Sequence, residues 1–179
     1  MKRLIVQFLI LGTAVIYFGC KNEKGTIPQK TEFTGTSVPV AILDPGKTTV
    51  LPNGNVLMEG IKYEWYDSTS VWQATGQSIW NEDWLIYSSG DTIKIWGTAD
   101  INVVGENPGD PSRGKWELLW NGLVTKYEMD EKGNFTKGLI AVDACGNGTS
   151  GAVKGMLGRW KYTMDIEQKF AYHSEGFFK

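Results

Sequence analysis

The chain has 179 residues, a formal net charge of −2, a single histidine and two cysteines. That length suits about one domain. The charge lacks the Lys/Arg excess that phosphate binding needs, so nucleic acid is excluded as the main partner. One histidine and two cysteines argue against a multi-histidine zinc centre or a disulfide scaffold, so no metal and no cofactor is expected. Hydrophobic residues at 41% and charged residues at 21% are ordinary globular proportions, which exclude a disordered chain. The unusual feature is aromatic: 8 Trp, 7 Tyr and 7 Phe stand beside 22 Gly.

Lys2 and Arg3 precede an apolar run from Leu4 to Phe18, interrupted only by Gln7 and Thr13. The run is shorter than the ~20 residues that span a bilayer. A basic head, a short apolar run and a small residue at its end are the parts of a secretory signal. The run closes on Tyr17-Phe18-Gly19-Cys20, which resembles a bacterial lipoprotein signal. The resemblance implies cleavage before Cys20, lipid on Cys20, and residues 1–19 as a signal peptide. Tyr17 departs from the usual aliphatic at its position. Losing Lys2 and Arg3 takes the net charge from −2 to −4. The expected address is the cell envelope, lipid-anchored. Lys21 is not the aspartate that commonly signals inner-membrane retention, so the outer membrane of a Gram-negative bacterium is favoured. Lipidation leaves Cys145 alone, and a small buried residue is its simplest role.

Residues 20–53 read as the lipidated cysteine, a tether and an N-terminal extension. Pro28, Pro39, Pro45 and Pro52 oppose helix and central strand alike. The apolar part from 37 to 53 is expected against the surface of the domain or across one of its ends.

Residues 54–179 form the domain. From 91 to 104, Ile93, Ile95, Gly97, Ala99, Ile101 and Val103 alternate with Thr92, Lys94, Trp96, Thr98, Asp100 and Asn102. Period two is the mark of a half-buried strand. Residues 115–127 and 158–168 repeat it, and 55–67, 76–87, 135–144 and 170–178 are further candidates. Turn signals separate them at Ser89-Gly90-Asp91, at 107–111, at 130–134 and at Gly146-Asn147-Gly148. The fold class is all-β, antiparallel. Gly60, Gly97, Gly122 and Gly138 interrupt strand patterns, as strand glycines do where small barrels curve. Either a β-sandwich or a closed barrel hides the sheet edges, and the strand glycines favour a closed barrel of about eight strands.

The segment Gly148-Thr149-Ser150-Gly151-Ala152-Val153-Lys154-Gly155-Met156-Leu157-Gly158, with the strand after it, resembles the glycine-spaced turn of the allene oxide cyclase-like barrels. Lys115 to Gly122 resembles the family's Trp-x-x-x-Trp-x-Gly strand, and Leu51 to Gly60 the entry to its first strand. The matches extend over residues 50–179. The resemblance implies an eight-stranded, calycin-like antiparallel barrel carried by a bacterial lipoprotein. It does not carry over catalysis, because no catalytic position aligns.

Trp116, Trp120, Trp160 and Tyr162 lie on apolar parities and read first as core. Trp96 shares its parity with Lys94, Thr98, Asp100 and Asn102, which suits a lined cavity or an outer binding surface. Trp80-Asn81-Glu82-Asp83-Trp84 reads as a rim loop or a hairpin end. The neighbouring acids Glu82/Asp83 and Asp130/Glu131 would point to opposite faces of a strand, and solvated charge is their default reading. The expected ligand site joins Trp96, Trp116 and Trp120 with Glu64 or Tyr162. Gly151, Gly155 and Gly158 are expected to be structural. The expected function is non-catalytic binding of a small apolar or amphipathic ligand inside the barrel. The alternative is a surface carbohydrate- or protein-binding module, and a cyclase-type isomerase is third. Oligomeric state stays open.

Overall fold

The structure is a computed structural model that describes residues 29–107, 109–131, 133–168 and 171–179. The stretch expected to be a signal peptide, and Cys20, lie outside the described residues.

One antiparallel sheet contains every strand: β1 (Thr31–Asp44), β2 (Lys47–Val50), β3 (Val56–Thr69), β4 (Gly76–Ile86), β5 (Thr92–Val103), β6 (Gly114–Met129), β7 (Phe135–Gly151), β8 (Leu157–Asp165) and β9 (Tyr172–Phe178). Two short 3-10 turns, Trp72–Ala74 and Ile166–Gln168, complete the secondary structure, and no α-helix occurs among the described residues. Consecutive strands pair from β2 to β9. β1 pairs with β9 over Thr31–Ser37 and with β3 over Gly35–Asp44, which joins the two ends of the sheet. The result is a ring of eight strands, β1 with β3 to β9. β2 continues β1 along the same edge of β3, past a kink at Pro45-Gly46. Gly46 has φ +70, and a Cβ there would come within 2.4 Å of the Glu59 carbonyl oxygen.

Alternation decides which side of each strand faces inward. On β5, Ile93, Ile95, Ala99, Ile101 and Val103 are buried, while Trp96 is half-buried on the outer face. On β6, Trp116, Leu118, Trp120 and Val124 are buried; on β8, Trp160, Tyr162 and Met164. The core is the inside of the ring, where large aromatic side chains pack among Ile, Val, Leu, Ala and Met. Trp116 packs edge-on to Trp160 at 5.0 Å, and Phe33 and Phe178 complete that layer. The Trp72–Ala74 turn lies beside it, where Trp116 Nε1 donates to the Gln73 carbonyl at 2.7 Å.

Three placements differ from the sequence reading. The sheet starts at Thr31, inside the stretch expected to be tether and extension and upstream of the expected boundary at 54. The prolines permit this. Pro39 lies past the last β9 pair and at a register shift, and Pro45 lies at the kink, so neither removes a central ladder bond. Gly146-Asn147-Gly148 is not a turn but part of β7. The run Trp80–Trp84 is strand, within β4, rather than a loop.

The expected structural glycines divide by mechanism. Gly151 and Gly155 have φ of +58 and +84, which favour glycine. At Gly158 the constraint is space, because a Cβ would lie 2.4 Å from the Trp160 ring. Gly60, at φ +71, sits in the β3 register shift between Met58 and Ile61.

Candidate functional site

The inward parity of β3 carries Ile61, Tyr63, Trp65 and Asp67; that of β4 carries Ser78, Trp80, Glu82 and Trp84. Both parities are largely apolar, so the strands carry Asp67 and Glu82 into the ring with their neighbours. Buried polar side chains among the described residues are Ser37, Asp67, Ser78, Glu82 and Ser174, which amounts to two acids and no base. Glu82 and Asp83 do point to opposite faces. Asp83 Oδ1 accepts from the Gly60 amide at 2.8 Å and holds the β3 bulge, while Glu82 is buried rather than solvated.

Glu82 Oε2 accepts from Trp84 Nε1 at 2.8 Å. Burial raises its carboxyl to about 7, against a smaller lowering by that indole. Burial also raises the hydroxyls of Tyr172 and Tyr63, and the nearby Glu82 charge adds to both shifts. Beside Glu82 lies a small enclosed space of about 10 Å³, the size of one water, bounded by Trp65, Trp80, Trp120, Tyr162 and Tyr172 among others. Trp65 and Tyr172 are the only partly exposed residues in that lining, so they form its solvent-side wall. The rings interlock: Trp80 lies 5.1 Å from Trp120 and 5.0 Å from Tyr162, and Trp65 lies 5.1 Å from Tyr172.

Asp67 is 1% exposed, and burial raises its carboxyl to about 6. The hydroxyls of Ser78, Ser37 and Tyr162 surround it and partly offset that penalty. Neither carboxylate oxygen, however, has a hydrogen bond of normal geometry. Tyr162 Oη and Trp120 Nε1 also lack partners. Such atoms are uncommon in folded proteins, and each calls for a physical account.

A second concavity, an open trough of about 810 Å³, crosses the outer faces of β6 to β9 and β1. Strand register places Leu119, Cys145, Arg159, Phe177 and Glu32 in one row. Asp83, Trp96, Asn121, Asp143, Lys161, Glu175 and Thr34 form the next. Lys30 lies 4.2 Å from the Phe177 ring centre. Cys145 is exposed here, not buried, because it falls on the outward parity of β7.

The residues expected to form one site are therefore divided by the wall of the ring. Trp116, Trp120 and Tyr162 are inside and buried. Trp96 and Glu64 are outside, where Glu64 accepts from Gln77 Nε2. Trp120 and Tyr162 do meet at the enclosed space, but with Glu82, Trp65 and Tyr172 rather than with Trp96 or Glu64. The missed acids had a signal, since Glu82 shares its parity with Trp80 and Trp84, and Asp67 with Tyr63 and Trp65. Among the described residues, no group of three His, Cys, Asp or Glu side chains is placed to hold a metal ion. Comparison with protein-family models, curated proteins and solved structures gives no significant match.

Proposed function

We propose that the chain is a cell-envelope lipoprotein, anchored through Cys20. The ring serves as a closed, calycin-like barrel that binds a small amphipathic ligand without transforming it. One observation carries the reading: a buried carboxylate, Glu82, beside an enclosed space walled by tryptophan and tyrosine. Aromatic walls with a few polar groups are the common make-up of small-molecule sites. The space admits only a head group, so the body of the ligand lies against Trp65 and Tyr172 at the solvent side. Native mass spectrometry of the full chain, purified from its own cell, tests this. A retained small molecule that is lost on Glu82→Gln supports the reading, whereas a bare chain mass at every stage of purification counts against it.

The address has its own test. Stable attachment takes more than one acyl chain, so Cys20→Ala is expected to leave the membrane fraction or to accumulate unprocessed. Membrane association at the mature mass would refute the lipid anchor.

A second reading, a surface module for carbohydrate or protein, is supported by the outer trough. Leu119 and Phe177 lie there beside Arg159, Lys161 and Glu175. Phe177→Ala with Arg159→Glu would abolish partner capture under that reading and spare the interior ligand. A cyclase-type isomerase has the least support, since no catalytic position of the family it resembles aligns with this chain.

A further inference from the structure

We infer that the enclosed space beside Glu82 receives a primary ammonium head, so that the ligand is a small organic amine held by charge and aromatic faces; this rests on the reading of the interior as the ligand site. Charge gives the first reason. The buried polar side chains of the described chain include two acids and no base. Glu82 has the neutral Trp84 indole as a donor but no cation beside it. A buried carboxylate without a counter-charge is costly, and a cation beside it removes that cost. The walls give the second. Trp65, Trp80, Trp120 and Tyr172 surround the space, and the faces of such rings attract cations. Size gives the third. About 10 Å³ accommodates a group the size of water, which an –NH₃⁺ head matches and a trimethylammonium head exceeds.

Two lining residues, Tyr162 and Trp120, also carry buried polar atoms with no hydrogen bond of normal geometry. Tyr162 is fully buried in the lining, and its Oη, which lies beside the Asp67 carboxyl, has no hydrogen bond of normal geometry. Its oxygen can accept from an ammonium group. Trp120 Nε1, also unpartnered, is a donor and would suit a hydroxyl. One unmade neutral hydrogen bond weighs less than an uncompensated buried charge, so the carboxylate decides the class. The apolar part of the amine then leaves past Trp65 and Tyr172, the partly exposed wall.

The test titrates the full chain in phosphatidylcholine nanodiscs with butylammonium, 1-butanol and butyltrimethylammonium at pH 8, above the value of about 7 to which burial raises Glu82. Tryptophan emission is the readout, and empty nanodiscs are the reference. Saturable binding of butylammonium is expected, at least tenfold tighter than either of the others. Glu82→Gln is expected to weaken it at least tenfold, whereas Glu64→Gln on the outer face leaves it unchanged. If Glu82→Gln does not fold, the discrimination among the three probes by the unaltered chain decides alone. Equal binding of amine and alcohol, indifferent to Glu82→Gln, overturns the cationic head and leaves the interior-ligand reading standing. Tighter binding of the quaternary probe overturns the size argument and with it the inference. No saturable binding of any probe also overturns the inference, and the co-purified ligand then judges the broader reading separately.

Discussion

Burial holds the carboxyls of Glu82 and Asp67 at about 7 and about 6, against ordinary values of 4.5 and 3.8. Between those values the folded chain keeps protons that the unfolded chain releases. The stability they contribute is complete below the unfolded values and is lost as pH rises through 6 and then 7. At ~1.4 kcal/mol per pKa unit, the loss by pH 8 is on the order of 3 kcal/mol for each group. Urea melts are expected to give a higher midpoint at pH 5 than at pH 8. Glu82→Gln keeps an acceptor for Trp84 Nε1 and should remove about half of that pH dependence. An unaltered dependence would mean that Glu82 is solvated after all. The tryptophans divide in the same way. Trp160 is 1% exposed inside the ring, so Trp160→Ala is expected to cost ~3–5 kcal/mol. Trp96, half-buried outside, should cost less than half as much. Equal losses in denaturant melts would place both in the core.

At the scale of elements, the turn from Gly151 to Gly158 separates two kinds of glycine requirement. Nothing lies within 4 Å of a Cβ built on Gly155, so only its φ of +84 resists substitution. Gly155→Val is expected to cost on the order of 1–3 kcal/mol, and Gly155→Asn much less, because asparagine tolerates this region. At Gly158 the obstacle is the Trp160 ring, so alanine itself should lower the melting temperature. Similar melting temperatures for Gly155→Val and the unaltered chain would remove the strain argument. Most of the strands were legible in the sequence. β5 was found within a residue at each end, because its alternation is unbroken from Ile93 to Val103. β1 was missed for two reasons. Its prolines resemble those of a tether, and its outer half, with Val40 57% and Ile42 66% exposed, follows no burial pattern. Gly146 looked like part of a turn but serves close packing, since a Cβ there would meet the Glu117 carbonyl oxygen at 2.3 Å. The site was legible only in part. Parity showed which tryptophans face inward, whereas the meeting of Glu82 with Tyr172 depends on pairing across the whole ring.

Across the whole molecule, the pairing of Thr31 with Phe178 joins the first described strand to the last. Deleting residues 172–179 is expected to open the ring, expose edges on β1 and β8, and turn a cooperative melt into a broad one. A sharp transition at an unchanged midpoint would mean that β3 alone holds β1. The same pairing sets the order of events in time. A chain that emerges from its N-terminus must wait for β9 before β1 can close the circle. Contacts between strands so distant in sequence are also slow to form. Refolding is accordingly expected in milliseconds to seconds rather than microseconds, with the closure of β1 on β9 among the last steps. Until that step Thr31–Ser37 lacks its β9 partner and Phe33 lacks Phe178 beside it, and a growing chain would need something to shield them.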